Sequence, residues 1–195
     1  MSKIWFTSDT HFGHTNIIKF CKRPFNNVDD MDATIIKNWN RLINPKDTVY
    51  HLGDFCFRSK GPEFYRKQLN GNIHLIWGNH DRRSQYNQFF YEKTSQITIK
   101  IDNISITLNH FSMRVWPKSH FNSFHLYGHS HGTLPSIGKS LDVGVDSHNF
   151  KPWSWDEIKN TINDLPHNFN WVKALDGYNQ LEFEEEKKKY DIQKI

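Results

Sequence analysis

The stretch "LIWGNHDRR", Leu75 to Arg83, decides how the chain is read. Its apolar start has the make-up of a buried strand. The strand then breaks off at Gly78, Asn79, His80 and Asp81, compact or polar residues able to turn a chain, hold a cation or carry a proton. In open α/β folds the carboxyl ends of strands are where sites are assembled, so a strand ending this way delivers Asn79 and His80 to a site. If so, other strands should end in the same chemistry.

They do. "KIWFTSDTH" reads as a strand over Lys3 to Ser8 that runs into Asp9-x-His11, and "DTVYHLGD" as one that ends in Gly53-Asp54. "ISITLNH" ends at His110, and "FHLYGHSH" ends in Gly128-His129-x-His131. Imidazole combined with carboxylate and amide oxygen suits a pair of divalent transition metals, manganese first, with iron, zinc, cobalt or nickel as alternatives. Cysteine is missing from these clusters, which argues against a closed structural zinc site. Cys21 and Cys56 cannot form a disulfide framework and have no partner at zinc-ribbon spacing, so both are expected to be structural.

The segments between the clusters set the architecture. Met31, Ile35, Trp39 and Leu42 fall at helical spacing, predicting an amphipathic helix capped by Asp29 or Asp30 and stopped before Pro45. Pro62 opens a second helix in "GPEFYRKQL". "QITIKI" and "ISITLNH" alternate apolar and polar residues around Asp102-Asn103, predicting a tight hairpin, and "LDVGVD" reads as a further strand. Ser154 with Glu157 three residues on is a capping box, so a helix should start there. A strand-helix-strand order followed by a hairpin predicts a layered α/β fold with mixed sheets. No repeat or interior linker is found, which predicts one domain over 1–195 with a charged tail over about 181–195.

Composition limits the function classes. A chain of 195 residues can bury a sizeable core, and although the mean hydropathy is only -0.75, 15% aromatic residues supply bulky core material. The net charge of +4 and pI near 9.0 lean mildly toward anionic partners. No stretch has the roughly 20 consecutive apolar residues of a membrane span, and "MSKIWFTSD" lacks the apolar region of a signal peptide, so a cytoplasmic location is expected.

In order, the clusters read D-x-H, G-D, G-N-H-D, H and G-H-x-H, from Asp9 to His131, about two-thirds of the chain. This ordered set resembles the calcineurin-like metallophosphoesterase superfamily; G-H-x-H alone would carry little weight. The resemblance implies a four-layer α-β-β-α sandwich with two mixed β-sheets flanked by helices. It further implies one metal held by Asp9, His11, Asp54 and His131 and a second held by Asp54, Asn79, His110 and His129, with Asp54 bridging. His80 would then bind no metal but stand beside the leaving-group oxygen, with Asp81 supporting its imidazole. Two cations roughly 3.5 to 4 Å apart bind phosphate oxygens, lower the pKa of a water to about 7 and stabilise an in-line displacement.

Each residue also has a plainer reading. A single histidine is more often a surface or hydrogen-bonded residue, and Asp54, Asn79 and Asp81 are all common in turns, yet no one such reading covers five clusters. His14 stands between a role on the substrate and a cap for the helix "TNIIKF" that follows it. Arg82 and Arg83 could bind phosphate or form a surface pair. Arg114 and Lys118 beside Trp116 suit a nucleobase and its phosphate, against the alternative of a Trp that packs a loop. His51 reads as a core or supporting residue, and the remaining histidines have no motif.

The leading expectation is a dinuclear metal-dependent phosphoesterase that acts on a small phosphomonoester or nucleotide-like phosphodiester by attack of a metal-activated hydroxide. Its alternative is a metal-dependent nuclease on short or single-stranded nucleic acid. Nucleases of this superfamily generally carry extra binding domains, and the chain after His131 shows no basic, aromatic-rich module, so no stable nucleic-acid partner is expected. A non-catalytic scaffold, as among trafficking subunits of the superfamily, comes last, because such scaffolds typically lose a ligand. Protein Ser/Thr phosphatases continue their second block as G-D-x-x-D-R-G, whereas this chain has "GDFCFRSK".

Overall fold

The computed structural model describes residues 2–57, 60–86, 90, 91, 93–168 and 170–172. The charged tail expected over 181–195 lies outside them. The elements run β1 (Ile4–Thr7), α1 (Thr15–Phe20), α2 (Val28–Leu42), β2 (Thr48–His51), α3 (Pro62–Arg66), β3 (Asn72–Ile76), β4 (Lys93–Thr94), β5 (Gln96–Ile101), β6 (Ile104–Asn109), β7 (Phe124–Tyr127), β8 (Ser140–Asp142), β9 (Trp153–Ser154) and α4 (Trp155–Asn163). Among the described residues no helix is long and apolar enough to cross a membrane.

Two mixed sheets form. The first has the order β4-β3-β2-β1-β9, all parallel except β9. The second has the order β5-β6-β7-β8, with β5 and β6 antiparallel and the rest parallel. Period-2 alternation sends neighbouring residues to opposite faces of the first sheet. Trp5 and Leu75 join one core with Met31, Ile35 and Trp39 of α2. Phe6 and Ile76 join the other with Ile106, Leu108, Phe124 and Leu126 of the second sheet and Trp155, Ile158 and Ile162 of α4. This is the α-β-β-α sandwich expected from the sequence.

Local chemistry sets the element ends. The cap of α2 is Asn27 and neither Asp29 nor Asp30: its side-chain oxygen accepts the Asp30 amide at 2.9 Å. The two acids occupy the first turn instead, where they complement the positive end of the helix dipole. The capping box of α4 forms as expected, and Asp102 and Asn103 turn the β5–β6 hairpin with φ of 49° and 65°. The two-residue strands β4 and β9 are too short to leave a periodic signal. Ser8, read as the end of the first strand, instead forms an isolated parallel bridge with Gly144, and the Val145 amide donates to its carbonyl at 3.0 Å. The tips of the two sheets are thereby tied together.

Candidate metal centre

Parallel register makes the tips coincide. Thr7 pairs with His51 and His51 with Leu75, so the chain leaves β1, β2 and β3 along one edge, carrying Asp9, Asp54 and Asn79. Leu108 pairs with Leu126 in the second sheet, so His110 and His129 leave β6 and β7 side by side. Two glycines permit the crowding. A Cβ at Gly78 would run into the Asp54 side chain and backbone, and one at Gly128 into the side chains of Ser8 and Asp9.

The backbone at these tips is strained. Asp9, His11, Asp54, His129 and His131 have φ between 48° and 65°, in the left-handed region that non-glycine residues seldom occupy. Each such residue costs energy that the surrounding structure must offset, and such residues gather at functional sites.

The side chains form two clusters that meet at Asp54. Potential ligand atoms of Asp9, His11 and His131 lie within 4.8 Å of one another, as do those of Asp54, His110 and His129. Asp54 Oδ2 is 3.5 Å from His11 Nε2 and 3.5 Å from His110 Nε2, midway between the groups. Asn79 Oδ1 lies 3.0 Å from His110 Nε2.

These atoms fit bound cations. Asp9 Oδ1 and His11 Nε2 are buried and have no hydrogen-bond partner, a costly state unless another species completes them. His110 Nδ1 lies 2.7 Å from the Leu52 carbonyl, which can only accept, so Nδ1 carries a proton. In the neutral ring the Nε2 lone pair then faces Asn79 Oδ1 and Asp54 Oδ2, a convergence of acceptors that suits a bound cation.

His131 is oriented in the same manner. Its Nδ1 lies 2.7 Å from Asp146 Oδ2 while Nε2 looks toward Asp9 Oδ1 at 3.9 Å, the carboxylate–histidine arrangement that supports metal-binding imidazoles. Burial opposes charge on His131, but Asp146 outweighs it and pushes the pKa up to about 10. A cation bound here must displace that proton. Burial also opposes ionisation of Asp9, yet His11, His110 and His131 hold its carboxyl well below the usual range.

A superfamily profile described as the calcineurin-like phosphoesterase domain matches residues 2–140. The chain belongs to the calcineurin-like phosphoesterase superfamily. It is 37% identical over 185 residues to an uncharacterised protein of Methanocaldococcus jannaschii, covering 85% of this chain and 99% of that one. It is 26% identical over 202 residues to the Gene 66 protein of Mycobacterium phage D29, covering 85% and 98% of the two chains. Among solved structures, a protein of unknown function from Aquifex aeolicus superposes with a TM-score of 0.68 at 26% identity, covering 83% of this chain and all of that one.

The superfamily's acid after the G-N-H block behaves differently here from the sequence-based expectation. Asp81 makes no hydrogen bond to the His80 imidazole. Its carboxylate accepts from the amides of Asp54 (2.8 Å), Phe55 (3.1 Å) and Gly78 (2.9 Å) and from the Tyr86 hydroxyl (2.7 Å). Its physical role is to lock the G-D loop to the G-N-H-D loop, because four donors saturate it. His80 itself stands at the mouth, 43% exposed, with Nε2 4.0 Å from Asp54 Oδ2 and its backbone amide donating to Asp54 Oδ1 at 2.9 Å.

The remaining predicted residues separate. His14 sits at the N-cap position of α1 but makes no capping bond; it stacks on Phe57 at 4.1 Å and approaches His11, Nδ1 to Nδ1, at 3.4 Å. Burial pulls its pKa down to about 4, and His11 and His80 add to the effect. Arg82 and Arg114 are exposed. Arg83 donates to Ser95 Oγ and lies over the Trp77 ring, the surface role expected of such a pair. Trp116 is buried, donates to the Ser123 carbonyl and packs on His125, so it holds a loop and offers no stacking face.

Two supporting residues escaped the sequence reading. Arg23, with a fully buried side chain, donates to both oxygens of Asp146 and to the carbonyls of Asp9 and Thr10. It fixes at once the carboxylate behind His131 and the strained backbone at Asp9. A lone cation in "CKRPF" carries no sequence signal of this role. Asp146 did carry one, as a further acid at the end of a stretch read as a strand, "LDVGVD".

Proposed function

We propose that this chain is a dinuclear metal-dependent phosphoesterase acting on a small phosphomonoester or a nucleotide-like phosphodiester. The observation that carries the proposal is the meeting of the two clusters at Asp54 Oδ2, equidistant from His11 and His110. Asp9, His11, Asp54 and His131 would hold one cation, and Asp54, Asn79, His110 and His129 the other, with manganese the first choice for this donor set. When bound, such a pair supplies Lewis acidity toward phosphate oxygens and a water acidic enough to attack near neutral pH.

The protein's own residues supply orientation and a proton. The Leu52 carbonyl and Asp146 fix which nitrogen of His110 and of His131 faces the centre. Arg23 and Asp81 hold the loops that bear Asp9 and Asp54. His80, half-open to solvent at the mouth, protonates the departing alkoxide, the task of a positioned general acid.

The test is a substrate screen with added manganese. Turnover of p-nitrophenyl phosphate or its bis-ester should appear, vanish with chelator, and exceed cleavage of long single-stranded DNA at equal bond concentration. Absence of turnover with metal bound would favour an interaction scaffold. Efficient DNA cleavage with little action on small esters would favour a nuclease.

A further inference from the structure

A pocket of about 590 Å³ opens directly against His129 and His131, and Phe20, Lys22 and Leu134 complete its walls. The volume is that of a small-ligand site. One wall is made of imidazoles of the candidate metal centre, so a phosphoester at that centre has its organic part beside the pocket. The other walls are unusual in being open. Phe20, the last residue of α1, is 72% exposed and Leu134 is 50% exposed. Phe20 is not part of either hydrophobic core, and its ring meets that of His14 edge-on with centroids 6.4 Å apart, a contact that leaves most of the ring exposed.

The chemistry of these walls selects an occupant. An exposed aromatic face stacks flat rings, and it does so with any base because every base has a π-face. Lys22 adds a cation beside it, suited to an anionic ester, and Thr133 and Ser130 add hydroxyls to the same walls. Trp116, weighed from the sequence as either a base-stacking or a loop-packing ring, is buried and cannot do this.

We propose that Phe20, with Lys22 and Leu134, forms a nucleobase subsite, so that the substrate is a nucleotide ester whose base stacks on Phe20 while its phosphate lies at the Asp54 centre. The proposal rests on the phosphoesterase reading for the second half of that statement only; base binding at Phe20 stands or falls separately.

The experiment compares thymidine 5′-(p-nitrophenyl phosphate) with methyl p-nitrophenyl phosphate, two diesters of equal charge and leaving group, in manganese. The full chain should prefer the thymidine ester in kcat/KM by roughly tenfold or more, the scale of one base–aromatic stack. Phe20→Ala should erase most of that preference through KM, whereas Phe121→Ala, at an exposed ring that does not line the pocket, should keep it. Titration of thymidine 5′-monophosphate gives a second readout that needs no turnover, with affinity falling roughly tenfold in Phe20→Ala. Binding that responds to Phe20 without hydrolysis of either ester upholds the subsite and overturns the phosphoesterase reading. Equal use of the two esters, or monophosphate affinity indifferent to Phe20, overturns the subsite.

Discussion

His125 on β7 and His110 after β6 are both buried histidines whose Nδ1 is bonded to a backbone carbonyl, Thr107 at 3.0 Å for one and Leu52 at 2.7 Å for the other. They differ at the second nitrogen. Nε2 of His125 accepts the Met113 amide at 3.1 Å, so both ring nitrogens are complete, and the ring stacks on Tyr127 and meets Trp116 at a tilt. Nε2 of His110 meets only acceptors. The chain has 12 histidines, and neither burial nor a hydrogen bond separates those that hold a fold from those that form a site. What separates them is the atom left without a donor or acceptor of the right kind.

Several experiments would break or sharpen that contrast. The largest effect is expected at the residue the two clusters share. Asp54→Asn should remove one of two metals and lower turnover by roughly 10⁴-fold, the equivalent of several kcal/mol, while leaving a folded protein. Two metals per chain and normal turnover in that variant would refute the bridging role.

His80 should behave unlike its neighbours because it faces the mouth and not a cluster. His80→Ala should keep both metals and lose about 10²- to 10⁴-fold with an alkyl leaving group, with a smaller loss for p-nitrophenolate, which departs without a proton. An equal deficit with both leaving groups, or loss of a metal, would make His80 a ligand or a substrate-positioning residue.

Asp146→Asn tests the layer behind the ligands. It should weaken manganese binding about 10- to 100-fold, the usual consequence of removing a carboxylate behind a ligating histidine. A titration showing unchanged affinity would mean that the Arg23–Asp146 pair serves only the fold.

The smallest effect belongs to His125. Burial pulls its pKa down to about 4 in the folded chain, whereas the unfolded chain takes up that proton near 6.5. Between those values the unfolded state holds more protons, so stability should fall as pH drops from about 6.5 to 4. Urea unfolding of His125→Gln should show a slope shallower by up to one proton, about 1.4 kcal/mol per pH unit. An unchanged slope would show that His125 is already charged in the fold.

Much of this was legible in the sequence because the site is built at strand ends, where apolar alternation stops at a named polar residue. Asp9, Asp54, Asn79, His110 and His129 could all be located that way, and the parallel register of the strands brings them to one edge. Asp81 was expected from the resemblance to support the His80 imidazole, while the turn at Gly78–Asp81 directs its carboxylate to backbone amides of the neighbouring loop, a bond pattern that adjacency in sequence does not reveal. Arg23 was invisible because its partners are two carbonyls and an acid 123 residues away. The strain at five of the seven candidate ligands has no sequence signature at all, since Asp and His do not announce a positive φ as glycine does.

The most direct measurement is the electron paramagnetic resonance spectrum of the purified chain titrated with manganese. A pair of ions sharing Asp54 predicts two manganese per chain and an exchange-coupled spectrum that gives way in Asp54→Asn to that of an isolated ion. One manganese per chain, or two that remain magnetically independent in the unaltered protein, would contradict a centre built around that carboxylate.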